Sequence, residues 1–321
     1  MKRLISSSFF RTDIASPRIR PAMTGLLLLG FTLCMAGTAL AAPSLTAPTT
    51  VEGEPSLYLL LRLPGDRADI RYSPGHLDRA ANLQGRFEPS ARIFEKWSGR
   101  PFSLVGYVLN REEWEQAKFA TTYGIPIRVG RTGVAAPALG DDQTVRLWAN
   151  LLQGMLPTVQ GLPLRGTPQH AASVVAADII TQLLMAQVMA DDARLEGDRT
   201  WVRGLMSHVI VVGLTKRLEE SRLRELDAFY ELLAQSREAK AFSARDYDDD
   251  LTLEDWLWFQ AQFHTGAKIL VQKEGKDAIK KMIKLNRKKG TIPGDMLLNR
   301  YKPLNDWFRE HFSAVSMRTD R

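Results

Sequence analysis

Hydrophobic and polar positions change their period along this chain, and the change divides it. Residues 57–63 and 68–72 are short apolar-rich runs split by the turn Pro64-Gly65-Asp66 and closed by Ser73-Pro74-Gly75, the pattern of neighbouring strands. Through 76–99, apolar residues recur at Leu77, Ala80, Leu83, Phe87, Ala91, Phe94 and Trp97, which predicts one long helix stopped by Gly99. A strand at 102–109, a short helix at 112–119 and strands at 125–129 and 144–148 follow, with Gly130-Arg131-Thr132-Gly133 read as a hairpin turn. Beyond residue 150 the helical period dominates. It marks 170–189, 201–212, 217–236, 252–274, 275–289 and 304–312, with Thr252 as an N-cap and Asp255 reaching back to it in a capping box. No segment repeats. The pattern predicts an α+β chain, a small N-terminal mixed-sheet lobe at 57–150 followed by a mainly α-helical lobe at 151–321.

The residues before 57 follow a different rule. Lys2, Arg3, Arg11, Arg18 and Arg20 precede an apolar run at 26–35, and Ala39-Leu40-Ala41 places small residues before a cut. We expect residues 1–41 to be a Sec-type signal peptide and 42–56 to be a flexible lead-in, with no transmembrane segment after cleavage. The expected compartment is periplasmic or extracellular, in a bacterium. Cys34, the only cysteine, lies inside this leader. Large Leu33 before it does not suit lipoprotein processing, and the cleaved chain would hold no disulfide or thiolate site.

Charge follows the same division. The 321 residues carry 43 Lys+Arg against 36 Asp+Glu, a formal +7. Residues 265–321 alone hold 14 basic and 6 acidic side chains, so the middle of the chain is acidic. Lys280, Lys281, Lys284, Arg287, Lys288 and Lys289 share a predicted amphipathic helix with Ile279, Met282 and Ile283. That basic stripe suits peripheral contact with an anionic membrane, with cell-wall polymer or with an acidic partner. Without interleaved aromatics, in an exported chain, it does not suit nucleic acid.

The order of elements resembles the peptidase-MA-like proteins, exported relatives of the gluzincin zinc metallopeptidases, over residues 68–312. The resemblance rests on Asp69-Ile70-Arg71-Tyr72-Ser73-Pro74-Gly75, Glu95-Lys96-Trp97-Ser98-Gly99 and Ser103-Leu104-Val105-Gly106-Tyr107-Val108-Leu109 before a helix with Trp114. It continues in the tail at Gln262-Phe263-His264, Lys273-Glu274-Gly275-Lys276-Asp277-Ala278-Ile279 and Leu304-Asn305-Asp306-Trp307-Phe308. It implies a thermolysin-like architecture and a zinc-bearing His-Glu-x-x-His helix followed by a Glu ligand. Aligned on that motif, Asp178 and Gln182 occupy the histidine positions, Ile179 the catalytic glutamate, and Arg203, one residue short of the family spacing, the third ligand.

The chemistry does not survive those replacements. Residues i and i+4 share a helix face, so two imidazoles there converge on Zn²⁺ while the glutamate deprotonates its water. An aspartate and an amide bring no nitrogen donor, and Ile179 accepts no proton. Arg203 beside a dication would cost on the order of 8 kcal/mol at 4 Å and an effective dielectric of 20. The zinc expected of the family therefore has no ligand set in this sequence, and no cofactor is expected.

The leading expectation is a non-catalytic binding or scaffold module, a pseudopeptidase whose partner is a protein, peptide or envelope component. An ion pair of Asp178 with Arg203 is expected in the vestigial cleft. One alternative is a zinc-dependent or rebuilt-site hydrolase using Asp178 with His208; another is an envelope-surface binder acting through the basic stripe. Asp246-Tyr247-Asp248-Asp249-Asp250 lacks the glycine and final glutamate of a calcium loop and reads as a solvated acidic loop. Trp256 and Trp258 read as core.

Overall fold

The computed structural model describes residues 50–51, 60–119, 121–139, 168–195, 197–247 and 251–314, with positions 144, 147, 148 and 151 between them. All belong to one unit, Pro43–Arg321. The expected signal peptide lies outside the described residues.

Six strands are described: β1 (Thr50–Val51), β2 (Leu61–Leu63), β3 (Ala68–Tyr72), β4 (Leu104–Leu109), β5 (Ile127–Val129) and β6 (Gly133–Pro137). They form one mixed sheet in the order β1-β5-β6-β4-β3-β2. β3 and β4 are parallel, joined across α1 (Leu77–Ser98), and β4 is parallel to β6; the β2–β3 and β5–β6 pairs are antiparallel. α1 buries Leu83, Phe87, Ala91 and Phe94 in the core and ends at Gly99, whose φ of 68° supplies the left-handed cap. α2 (Arg111–Gln116) starts at Asn110, whose side chain accepts from the Glu113 amide.

The rest is helical: α3 (Pro168–Asp192), α4 (Thr200–Leu218), α5 (Glu220–Ala234), α6 (Leu253–Glu274), α7 (Ala278–Lys289), α8 (Gly294–Arg300) and α9 (Lys302–His311). α3, α4 and α6 are apolar nearly all round because they are central: Leu183, Met185, Leu205, Ile210, Leu257 and Phe263 are each almost fully buried. One hydrophobic core runs from the sheet and α1 into these helices. Trp256 and Trp258 are core residues, as their spacing predicts. Among the described residues no helix is long and apolar enough to cross a membrane.

The α+β class holds, with several local corrections. Thr50–Val51, inside the expected flexible lead-in, pairs in parallel with β5, so an edge strand starts there. Thr144, Leu147, Trp148 and Leu151 are helical where a strand is expected at 144–148. Their 3–4-residue spacing is itself a helical signal, masked by β-prone Thr144, Val145 and Trp148. β6 was not expected as a strand, because Gly133-Val134-Ala135-Ala136-Pro137 is small-residued; neighbours on both sides stabilise it. α8 is a seven-residue helix too short to show a period. The Thr252 cap forms, with its hydroxyl accepting from the Asp255 amide, but the Asp255 carboxylate is engaged by Arg237 at 3.3 Å.

Candidate functional site

Asp178 and Gln182 lie one turn apart on α3 and face α1 and the end of α4. On α1, Arg79 and Arg86 are seven residues apart and therefore on one face, and both reach Asp178. Arg79 Nη1 donates to Oδ1 at 2.5 Å, and Arg86 Nη1 donates to Oδ2. Burial pushes the Asp178 carboxyl up, but the two guanidiniums outweigh it and hold the group below the usual carboxylate range. Gln182 donates through Nε2 to Thr215 Oγ1 at 2.9 Å, while its buried Oε1 has no hydrogen-bond partner among the described residues. Ile179 is buried.

Arg203 is elsewhere, which corrects the expected ion pair. Its Nη2 donates to Asp191 Oδ2 at 2.9 Å, and the same oxygen meets Arg128 of β5 at 2.6 Å. Asp191 is about 20 Å along α3 from Asp178. The reason is topological. α3 and α4 are joined by a short loop and run antiparallel, so the first turns of α4 face the end of α3, and Asp178 and Gln182 meet the last turns of α4 instead.

The pairing of Asp178 with His208 also fails. His208 is fully buried on α4, with Nε2 3.1 Å from Gln260 Oε1 of α6 and its ring edge-on to Tyr230 and His264. His264 in turn bonds Asp227 at 2.8 Å. Burial, reinforced by His264, holds His208 well below its ordinary value, so it is neutral. His208, Gln260 and His264 of this polar thread are buried, only its Asp227 end reaches solvent, where Lys268 meets it at 2.9 Å, and the thread shares no group with Asp178. His76 sits at the N-cap position of α1 without a side-chain capping bond, and His311 lies at the end of α9; the side chain of His170 lies outside the described residues. Asp246 is buried, accepting from the Ser243 amide at 2.7 Å, so the acidic run begins as a structural cap; Asp248–Asp250 lie outside the described residues.

A cleft of about 160 Å³ opens where Gln182 and Thr215 meet α1, walled by Leu83, Phe87, Met185 and Leu218. A recess of about 60 Å³ reaches Asp178, and Arg86 and Arg222 line both. Arg222 of α5 is only 14% exposed in its side chain. Among the described residues its one ion pair is with half-exposed Glu219 at 3.7 Å, too long for a hydrogen bond. Burial lowers the Arg222 guanidinium, as does neighbouring Arg86, against Asp178, Glu219 and Glu225. It stays charged. Sequence reasoning missed Arg79, Arg86, Arg222 and Thr215. The legible signals were the seven-residue interval of two arginines beside the apolar Leu83 and Phe87, and the antiparallel register of α3 with α4.

These residues do not fit zinc. Both Asp178 oxygens hold guanidiniums, the cleft contributes one amide oxygen and no imidazole, and two cations stand where a dication would sit. Among the described residues no group of three or more His, Cys, Asp or Glu is arranged to hold a metal.

On α7 the basic residues Lys280, Lys281, Lys284, Arg287, Lys288 and Lys289 are all exposed, with Ile279, Met282 and Ile283 buried behind them. Among the described residues two are engaged: Lys281 with Glu274 at 2.6 Å, and Arg287 with the Ser98 carbonyl.

No protein-family model matches the chain, and no curated protein matches its sequence.

Proposed function

We propose that this chain is an exported, non-catalytic binding module, a pseudopeptidase of peptidase-MA-like, gluzincin descent that engages a partner through the cleft between α1, α3 and the α4–α5 junction. The observation that carries the reading is the occupation of Asp178 by Arg79 and Arg86. A carboxylate so held is neither a free metal ligand nor a base, because it has no unshared oxygen to offer and its proton affinity is depressed. The strand, helix, strand, short helix and strand-pair order before α3 supports the descent.

Metal analysis of the purified protein, cleaved after Ala41, tests it. The expected result is no stoichiometric zinc and no hydrolysis of a generic peptide library. About one zinc per chain, removed by chelator together with peptide hydrolysis, would overturn the reading.

A second reading is favoured by one surface feature. Lys280, Lys216 and Arg217 line a depression of about 540 Å³ whose only acid among the described residues is Asp277, beside the exposed α7 stripe. It supports peripheral attachment to an anionic envelope surface. Sedimentation with phosphatidylglycerol vesicles should weaken with salt and with K280Q/K284Q/K288Q; binding indifferent to both would exclude this mode.

A further inference from the structure

The cleft has three chemical features that no single internal partner satisfies. The first is cationic: Arg222 offers guanidinium donors that make no hydrogen bond among the described residues, and it stands next to Arg86. The second is an acceptor, the buried Gln182 Oε1, which has no donor among the described residues. The third is apolar: Leu83, Phe87, Met185 and Leu218 form the walls. Pro89 sits inside α1 at the rim, where it has no amide hydrogen to give the Gly85 carbonyl one turn earlier, and both residues line the cleft. A buried acceptor left unpaired is costly, and Arg222, whose one ion pair among the described residues is the long one to Glu219, keeps donors to offer; a ligand supplying the complementary groups satisfies both.

We propose that the cleft recognises the free C-terminus of a peptide ending in an apolar residue. The terminal carboxylate accepts from Arg222 with Arg86 beside it, a pairing for which the planar guanidinium fork is suited. The last backbone N–H donates to Gln182 Oε1, and the apolar side chain fills the space between Phe87 and Met185. The size agrees. About 160 Å³ is below the roughly 300–1,000 Å³ of sites that engulf a whole small molecule, so the cleft takes one terminal residue and leaves the rest of the peptide outside. Phosphate fits less well, since it offers nothing to the apolar walls. A fatty acid offers no donor to Gln182. Glu219 and Glu225 at the rim are exposed, and they disfavour a ligand with acidic residues just before its terminus. This inference names the ligand class of the binding module proposed above and rests on that reading.

Fluorescence anisotropy of a labelled hexapeptide ending in Leu or Phe, with the full cleaved protein, tests it. Saturable binding is expected. Amidation of the terminal carboxylate should weaken it by about tenfold or more, as should Arg222→Gln, because each removes a charge-assisted hydrogen bond. Arg222→Lys should recover part of the loss, and Arg224→Gln, an exposed residue two positions further along α5 that does not line the cleft, should bind as the native chain does. Circular dichroism of Arg222→Gln checks that it folds; the amidated peptide tests the same contact with no change in the protein. Equal binding of acid and amide peptides, or no saturable binding of any apolar-ended peptide at millimolar concentration, would overturn the proposal. Decanoate competing as tightly as the peptide would also overturn it, in favour of a free organic acid. Intact recovery of the peptide separates the two readings. Cleavage with bound zinc would sink the non-catalytic reading, whereas failure to bind with no zinc present would sink only this one.

Discussion

At the scale of single residues, Asp178 is the most consequential side chain. It is buried and neutralises two arginines, so its removal leaves cations uncompensated in a low-dielectric site. Asp178→Ala should lower stability by about 3–5 kcal/mol in urea unfolding. Because its folded pKa is depressed, its contribution is fully present above the unfolded value, about 3.9, and is lost as pH falls through the folded value. The stability difference between the native chain and Asp178→Ala should therefore shrink below about pH 4. His208 acts in the opposite range. Its folded pKa is also depressed, but the neutral form is the one the fold holds, so protonation favours unfolding once pH drops below the unfolded value of about 6.5. Between about pH 6.5 and 5 the slope of stability against pH should flatten in His208→Asn. An unchanged slope would show that His208 does not carry it.

Elements meet closely where glycine permits. A β-carbon on Gly266 of α6 would lie 2.7 Å from the Trp307 ring of α9, and one on Gly204 of α4 would lie 2.6 Å from Phe263. Gly85 on α1 faces open space. The same substitution should thus have opposite signs in two helices. Gly85→Ala should stabilise by up to about 1 kcal/mol through helix propensity. Gly266→Ala gains the same propensity but must displace a buried indole, and overpacking of this kind costs about 1–3 kcal/mol, so net destabilisation is expected. Thermal melting of both variants decides it. Helix periods and the Gly99 and Thr252 caps were legible in the sequence because they are local. The helical state of Thr144, Leu147, Trp148 and Leu151 and strand β6 were not, because β-prone residues in one and small residues in the other left the outcome to neighbours.

Across the whole molecule, the sheet part and the helical part share one core. Asp191 ties them further by joining Arg128 of β5 to Arg203 of α4. Unfolding should therefore be a single event. Far-ultraviolet circular dichroism, dominated by the helices, and tryptophan fluorescence, which includes Trp114 and Trp148 near the sheet, should give coincident urea transitions. Two resolved transitions would contradict a shared core.

By itself the sequence determined the α+β order, the central apolar helices, the basic face of α7 and the absence of imidazoles at 178 and 182, since each depends on residue type and local spacing. Only the tertiary structure decided which charges meet. Arg203 and His208 were each expected beside Asp178, yet antiparallel packing of α3 and α4 sends Arg203 to Asp191, threads His208 between α5 and α6, and brings Arg79, Arg86 and Arg222 from two other helices to the cleft. Ion pairing acts across space between elements, and its partners follow from helix register and packing, which no local pattern encodes.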